Sequence, residues 1–257
     1  MASDQIAGQI QSTKSLCVSP SWLNTFLSSS SNGQRNIPIS ALAKTALFRI
    51  LASDIRDSLS TNPESVFPVD IYDPNVQERR LHGPIPVQVL DIEDIGTSLW
   101  SQIETIERVE RGEAIRGREI VRTVAVGEDP ETSENNRVNN NNGPAGSTNA
   151  SGSSGYGPHR LILQDAVGTK AVAIEMQRIE GISLEKLSIG SKIVLCNVTV
   201  ARGMVLLTPE SANMLGGKIE SLDRPWREGR KTRLLERVAA TEGEQTQANG
   251  NTTARRR

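Results

Sequence analysis

The stretch from Pro158 to Gly217 constrains the fold most, because it has the alternation and the turn residues of two β-hairpins in series. In the first hairpin, apolar side chains alternate with other residues on both sides of 165–169, where Asp opens a turn and Gly permits a positive φ. The second is rich in β-branched residues, turns at Arg202–Gly203 and returns to Thr208. Two hairpins supply four strands, which leave a sheet with two open edges.

A fifth strand that helps to close this sheet is predicted upstream. Ile85, Val87 and Val89 alternate with other residues, whereas Leu90 and Ile92 fall out of phase, which indicates a β-bulge that curls the strand. Five short strands with the first far from the second predict a five-stranded barrel of the oligonucleotide/oligosaccharide-binding (OB) kind. The barrel then occupies 84–217, with a long insertion, 96–157, between its first two strands.

The composition of the hairpins argues against binding of single-stranded nucleic acid. The stretch 158–217 contains no Phe, Tyr or Trp. It has six Lys and Arg and five Asp and Glu, so its net charge is close to zero. Single-strand binders of this fold stack bases on aromatic rings and attract the backbone with clustered cations. The whole chain has a formal net charge of -1. We therefore expect the barrel to bind another protein.

Helices are predicted before the barrel, in 1–62. Pro20 follows Ser19, a typical pair for the start of a helix, and a longer apolar stripe runs from Ile39 to Leu59 before a stop at Asn62-Pro63. Short helices cannot bury such a stripe alone, so they should pack on each other and on the barrel. Residues 63–83 are predicted to be a connector. The expected fold class is α+β, with an N-terminal helical bundle packed on the barrel and a helix after it.

The insertion contains two kinds of sequence. Its first part predicts a helix with an apolar face that needs a partner surface, formed by Leu99, Trp100, Ile103 and Ile106. From 127 to 157 almost no apolar side chain occurs, and this segment is predicted to be disordered.

A C-terminal helix is predicted over 218–238, with Asp223 as its cap and Pro225 in its first turn. Its basic face comprises Arg227, Arg230, Lys231, Arg233 and Arg237. Two interpretations remain open: an ordinary solvated face, or a surface that contacts DNA phosphates or an acidic partner. The tail, 239–257, is predicted to be disordered.

Chemistry-bearing patterns are sparse. His82 and His159 have no further ligand at metal spacing, and no nucleophile or phosphate-loop motif occurs. The acidic cluster Asp91, Glu93 and Asp94 is interpreted as a solvated strand end. We expect no enzymatic activity, metal or cofactor, and a soluble intracellular protein without a membrane span.

The chain resembles the family of RecQ-mediated genome instability protein 1. The matching segments are SPSWL at Ser19–Leu23, SDIRDSL at Ser53–Leu59, SQIE at Ser101–Glu104, RLILQD at Arg160–Asp165, and GMVLLTPE with LGGKIESL within Gly203–Leu222. The resemblance covers Leu16 to Leu235. The chain looks like a short, fungal-type member of the family, without the second OB domain of the animal protein.

The resemblance implies a noncatalytic nuclear subunit that joins a type IA topoisomerase (topoisomerase III) and a RecQ-family helicase. Such complexes decatenate DNA and dissolve double Holliday junctions, and in the family the insertion enters the topoisomerase gate. The rival interpretation is a DNA-binding OB module that recruits repair factors through the basic C-terminal helix.

Overall fold

A computed structural model describes residues 2–30, 38–115, 118–119 and 157–254. The helices before the barrel are α1 (Ala2–Lys14), α2 (Pro20–Ser30), α3 (Ile39–Ala52) and α4 (Ile55–Ser58). A single 3-10 turn follows at Pro63–Ser65. Pro20 begins α2 as predicted, because its fixed φ suits the first helical position.

The apolar stripe predicted as one helix from Ile39 to Leu59 is divided in two. α3 ends at Ala52, and the Asp54 side chain then accepts a hydrogen bond from Arg56 N at 2.9 Å, which caps α4. The break lets Ile55 N donate to the buried Gln88 Oε1 of the barrel at 3.0 Å. The break between α3 and α4 thus has a tertiary cause, since it joins the helices to the sheet.

The main sheet has eight strands among the described residues. They are β1 (Arg79–Leu81), β2 (Ile85–Asp94), β5 (His159–Gln164), β6 (Lys170–Glu175), β7 (Lys192–Leu195), β8 (Val198–Ala201), β9 (Met204–Leu207) and β10 (Ala212–Gly216). A separate small hairpin, β3 (Ala114–Ile115) and β4 (Arg118–Glu119), lies in the insertion.

The strand order β1-β8-β9-β6-β5-β2-β7-β10 is that of a curled OB barrel. All neighbours are antiparallel except β6 and β9, which are parallel. The first strand of the second predicted hairpin is divided into two strands, β7 and β8. The chain bends between them at Cys196–Asn197, where Asn197 has φ 50. β7 pairs with β2 and β8 pairs with β9, so this bend brings the two ends of the sheet together.

Two further expectations for the barrel are tested by the pairing. The β2–β5 register shifts between Val89 and Asp91, which confirms the predicted bulge at Leu90. The predicted connector, 63–83, belongs in part to the barrel, since Phe67 and Ile71 lie in its core and β1 pairs with β8. The remaining core is almost wholly aliphatic.

The helical bundle packs on the barrel, as predicted. Its core cluster includes Ala166 and Val194 from the barrel. At the same junction the buried Lys192 Nζ donates to Ser53 O at 2.6 Å and Gly190 O at 2.7 Å. Gly217 has φ +98, and a Cβ there would lie 2.4 Å from Leu51 O. The two layers therefore meet without room for a larger residue.

The C-terminal segment forms α6 (Glu220–Glu228) and α7 (Arg230–Ala254), which are divided at Gly229. The predicted cap is wrong: Ile219 precedes α6 as its N-cap, and Asp223 is a buried residue of the helix, with Pro225 inside it. The helix also continues to Ala254, where a disordered tail from 239 was predicted. The helix formers of 239–242 account for part of this continuation.

The segment 127–157, predicted to be disordered, lies outside the described residues except for Gly157, as do 255–257 of the tail. Within the parts of the chain that the structure describes, no helix is long and apolar enough to cross a bilayer. Those same residues contain no group of three or more potential metal ligands.

Candidate interaction surface at the base of the insertion

The insertion leaves the barrel through a narrow neck. β2 and β5 remain paired up to Asp94 and His159, the last paired residues before and after the insertion. Beyond this pair the outgoing and returning segments touch, since a Cβ at Gly96 would lie 2.4 Å from Gly157 Cα. Only glycine permits this approach, so the insertion begins and ends at one point of the surface.

Asp94 fixes the direction in which α5 (Leu99–Glu110) departs from the neck. Its Oδ1 accepts hydrogen bonds from Gly96 N at 2.8 Å and Thr97 N at 3.1 Å, and its Oδ2 accepts one from the Thr97 hydroxyl. Gln102 Nε2 then donates to Asp94 O at 3.0 Å and Thr97 O at 3.1 Å. The Ser98 side chain caps α5, as its place before the apolar face predicts.

A buried polar pair holds the returning strand. His159 Nδ1 and Glu175 Oε2 are 2.6 Å apart, and both side chains are almost fully buried. The other carboxylate oxygen, Glu175 Oε1, accepts from Ile179 N at 2.8 Å. His159 Nδ1 and both carboxylate oxygens of Glu175 thus have partners, which buried groups require, so the pair is a structural fastening of β5 to the end of β6.

The apolar face of α5 already has a partner within the chain. Ile103, Leu234 and Val238 form a buried cluster, and Leu99 and Ile106 pack against it. The four residues predicted to bind a partner protein were Leu99, Trp100, Ile103 and Ile106. For Ile103 that prediction is corrected, because α7 encloses it. Leu99 and Ile106 are packed in the same contact between α5 and α7.

Trp100 is the member of that set that remains available. It lies in the first turn of α5, directly above the neck, and 60% of its surface is exposed. Its backbone position is fixed by the Asp94 turn below it and by α7 behind it. Trp100 is therefore a large exposed side chain on a backbone that is already fixed, which is typical of an interface anchor.

The predicted basic face is engaged with carboxylates of the same chain. Arg227 Nε donates to Asp223 Oδ2 at 2.8 Å, and Lys231 Nζ donates to Glu110 Oε2 at 2.7 Å. Arg237 Nη1 lies 2.8 Å from Glu93 Oε1. Lys231 thus joins α7 to α5, and Arg237 joins α7 to β2, whereas Arg227 pairs within α6.

The other two cations of this face also have partners. Arg233 Nη2 donates to Trp226 O at 2.6 Å, and its guanidinium lies 5.4 Å from the Trp226 ring centroid. Arg230 Nη2 lies 3.4 Å from Gln102 Oε1, at the edge of a hydrogen bond. Arg230, Lys231 and Arg237 thus form a brace between α7 and the base of the insertion, and contact of the basic face with DNA or an acidic partner stays a prediction.

The acidic strand end is likewise part of this brace. Asp91 Oδ1 accepts from Trp226 Nε1 at 2.6 Å, and Glu93 accepts from Arg160 Nε at 3.0 Å as well as from Arg237. With Asp94 in the neck, each of the three carboxylates predicted to be solvated has a structural partner. Sequence reasoning missed this role, although the Asp-x-Gly-Thr order at 94–97 is a recognisable turn signal.

The buried Asp223 carboxyl group of α6 has a lowered pKa. Burial raises it, but hydrogen bonds from Arg227 and Ile189 N, together with the nearby charges, hold it below the usual value. The carboxylate is thus held in its charged form, as a fastening between α6 and the barrel requires.

Comparisons with known proteins agree with this architecture. The family model described as "RMI1, N-terminal OB-fold domain" matches residues 67–230, and "RMI1, N-terminal helical domain" matches residues 10–58. RecQ-mediated genome instability protein 1 of Schizosaccharomyces pombe (strain 972 / ATCC 24843) is 29% identical over 179 residues. The aligned part covers 69% of this chain and 72% of that relative.

Proposed function

This chain belongs to the RMI1 family, and from that premise we propose that it is a noncatalytic subunit of a complex between topoisomerase III and a RecQ-family helicase. Its family and its OB fold support the broader role of a scaffold in genome maintenance. The proposed complex decatenates DNA and dissolves double Holliday junctions in the nucleus. This chain contributes binding surfaces to it.

The observation that carries the proposal is the braced neck. α5 is fixed at its start by Asp94 and along its length by α7, while Trp100 at its first turn is exposed. A projection that is ordered before binding loses little conformational entropy when it binds. The geometry suits an insertion that enters a cleft of an enzyme and holds it in one arrangement.

The barrel surface supports a protein partner rather than single-stranded DNA. None of the strands β2 and β5–β9 contains Phe, Tyr or Trp, and the imidazole of His159 in β5 is buried, so these strands offer no exposed ring on which a base can stack. The basic residues of α6 and α7 are held by carboxylates and backbone oxygens. The rival function, a DNA-binding module, therefore has less support in this structure.

The mechanism follows from preferential binding. If the insertion binds the open gate of a topoisomerase more tightly than the closed gate, the equilibrium moves toward the open state by the ratio of the two affinities. No chemical step on this chain is needed. The enzyme's strand passage changes in rate because one of its conformations becomes more populated.

The test is the single substitution Trp100→Ala. Because the side chain is exposed, the variant should unfold at the same temperature as the wild type, whereas truncating Leu99 or Ile103 would also loosen α5. Loss of an interface anchor costs at least about 2 kcal/mol, a roughly 30-fold weaker association. We expect weaker stimulation of decatenation by topoisomerase III and weaker co-purification with it.

Val167→Ala is the matched control, since Val167 is 58% exposed in the turn between β5 and β6, at the end of β5 away from the neck. It should stimulate decatenation as the wild type does. Undiminished stimulation by Trp100→Ala would contradict the assigned contact. Absence of any wild-type effect on topoisomerase III, combined with tight, salt-dependent binding of single-stranded DNA, would contradict the proposed function itself.

A further inference from the structure

A second surface lies on the helical bundle, where α2 and α3 form an open groove of about 350 Å³. Trp22 and Phe26 line it from α2, and Phe48, Arg49 and Ala52 line it from α3. None of these residues belongs to the neck or to the brace described above. The groove is therefore a separate feature of the molecule.

Aromatic rings are concentrated in this groove. The chain has three Trp, two Tyr and three Phe, and three of these rings lie here. Trp22 and Phe26 stack with their centroids 5.7 Å apart, and Phe26 is buried. Phe48 is 73% exposed although it lies within a well-packed helix. One exposed apolar side chain is ordinary, but one that forms a wall of an aromatic groove indicates a binding surface.

Among the described residues that line the groove, Arg49 is charged and none is acidic. Residues 5–53 contain Lys14, Arg35, Lys44 and Arg49 and no Asp or Glu, in a chain that has 30 acidic residues. The Arg49 guanidinium lies 5.4 Å from the Phe26 ring centroid. Among the residues that the structure describes, no carboxylate forms an ion pair with it. The surface therefore lacks the negative partner that the cations of α6 and α7 have.

We propose that this groove binds an acidic amphipathic segment of a partner protein. An aromatic or aliphatic side chain of that segment lies against Phe48 and Trp22, and a carboxylate beside it pairs with Arg49. This is the helix-in-groove mode of recognition, in which apolar anchors supply the affinity and a charge fixes the orientation.

A peptide fits these observations better than single-stranded nucleic acid does. Nucleic-acid binding needs successive free ring faces and a row of cations along the backbone. Here Trp22 and Phe26 stack on each other, and Arg49 is the single cation among the described residues that line the groove. The proposal does not depend on the topoisomerase role, because α2 and α3 contribute nothing to the neck.

The experiment selects binders from a displayed library of random peptides against the full-length chain. The double variant Phe48→Ala/Arg49→Glu is used for counter-selection, and both changes are at exposed positions. Enriched peptides should carry Asp or Glu beside an aromatic or aliphatic anchor. By fluorescence anisotropy they should bind the double variant at least roughly tenfold more weakly than the wild type.

The control is Val69→Ala/Arg80→Glu, which makes the same change of charge at exposed positions outside the groove. It should bind the selected peptides as the wild type does. The proposal is overturned if no peptide is enriched, if enriched peptides lack acidic residues, or if the double variant binds them equally well. Competition of a short oligo(dT) for the groove, or a self-association lost in the double variant, would overturn it in favour of those occupants.

Discussion

Lys192 should make this protein more stable as the pH rises into the alkaline range. Its ammonium group is fully buried at the junction of the bundle and the barrel, where Ser53 O and Gly190 O accept its hydrogen bonds. These carbonyl oxygens favour the charged form, but burial disfavours it more. Burial thus lowers the pKa of Lys192 from 10.5 to about 8, with the charge of Asp54 opposing the shift.

The sign follows from proton linkage. Between about pH 8 and pH 10.5 the unfolded chain keeps the proton on Lys192 and the folded chain releases it, so stability increases as the pH rises. One pKa unit corresponds to about 1.4 kcal/mol. Integrated from about pH 7 to about pH 10, the group adds roughly 2.5 kcal/mol to the free energy of unfolding.

The substitution Lys192→Met removes this titration. It relieves the cost of burying a charge but leaves two carbonyl oxygens without their donor, at about 1–3 kcal/mol each. These effects offset each other near neutral pH, so the slope of stability against pH is more diagnostic than stability at one pH. Lys170→Met, at an exposed position, is the matched control.

The assay is urea unfolding of the three proteins at closely spaced pH values. The stability of the wild type relative to Lys192→Met should increase by roughly 2.5 kcal/mol between about pH 7 and pH 10, whereas Lys170→Met should remain parallel to the wild type. A constant difference would show that the carbonyl oxygens outweigh burial and that the reasoning is wrong.

Two further predictions concern packing. Gly217→Ala should cost about 2–4 kcal/mol in thermal unfolding, because its Cβ would meet Leu51 O at 2.4 Å as well as adopt a positive φ. Gly216→Ala, with φ +77 and open space around it, should cost only the backbone strain of about 1 kcal/mol; equal losses would contradict the steric argument. Leu234→Ala should cost about 2–4 kcal/mol and speed hydrogen exchange in α5, because it removes the neighbour of Ile103. Leu235→Ala, at the exposed next position, should have little effect on hydrogen exchange in α5. An equal acceleration in that variant would refute the packing of α5 on α7.

The barrel was predictable because its signals are local. Alternation located its strands, and the phase change between Val89 and Ile92 located the bulge. The bend at Asn197 was missed, since a polar residue in a β-branched run does not show that the chain changes neighbours there. The break at Asp54 was missed for a similar reason, because its benefit is a hydrogen bond to Gln88 of the barrel.

The interaction surfaces were less predictable because they depend on pairing between distant residues. Periodicity found the apolar face of α5 and the basic face of α7, but it did not show that these two faces cover each other. Exposure of Trp100 and of Phe48 is equally a tertiary property. Both belong to helices whose stripes also include buried neighbours, so sequence spacing does not separate the two kinds of position.

The close approach of Gly96 and Gly157 makes the insertion an exchangeable cassette. Since its two ends meet beside the last β2–β5 pair, a short turn can replace residues 97–156 without moving either strand. Selection can therefore lengthen, shorten or rewrite this segment while the barrel keeps its shape. Among the described residues of the cassette, one face of α5 meets α7, so changes on that face must be matched on the C-terminal helix.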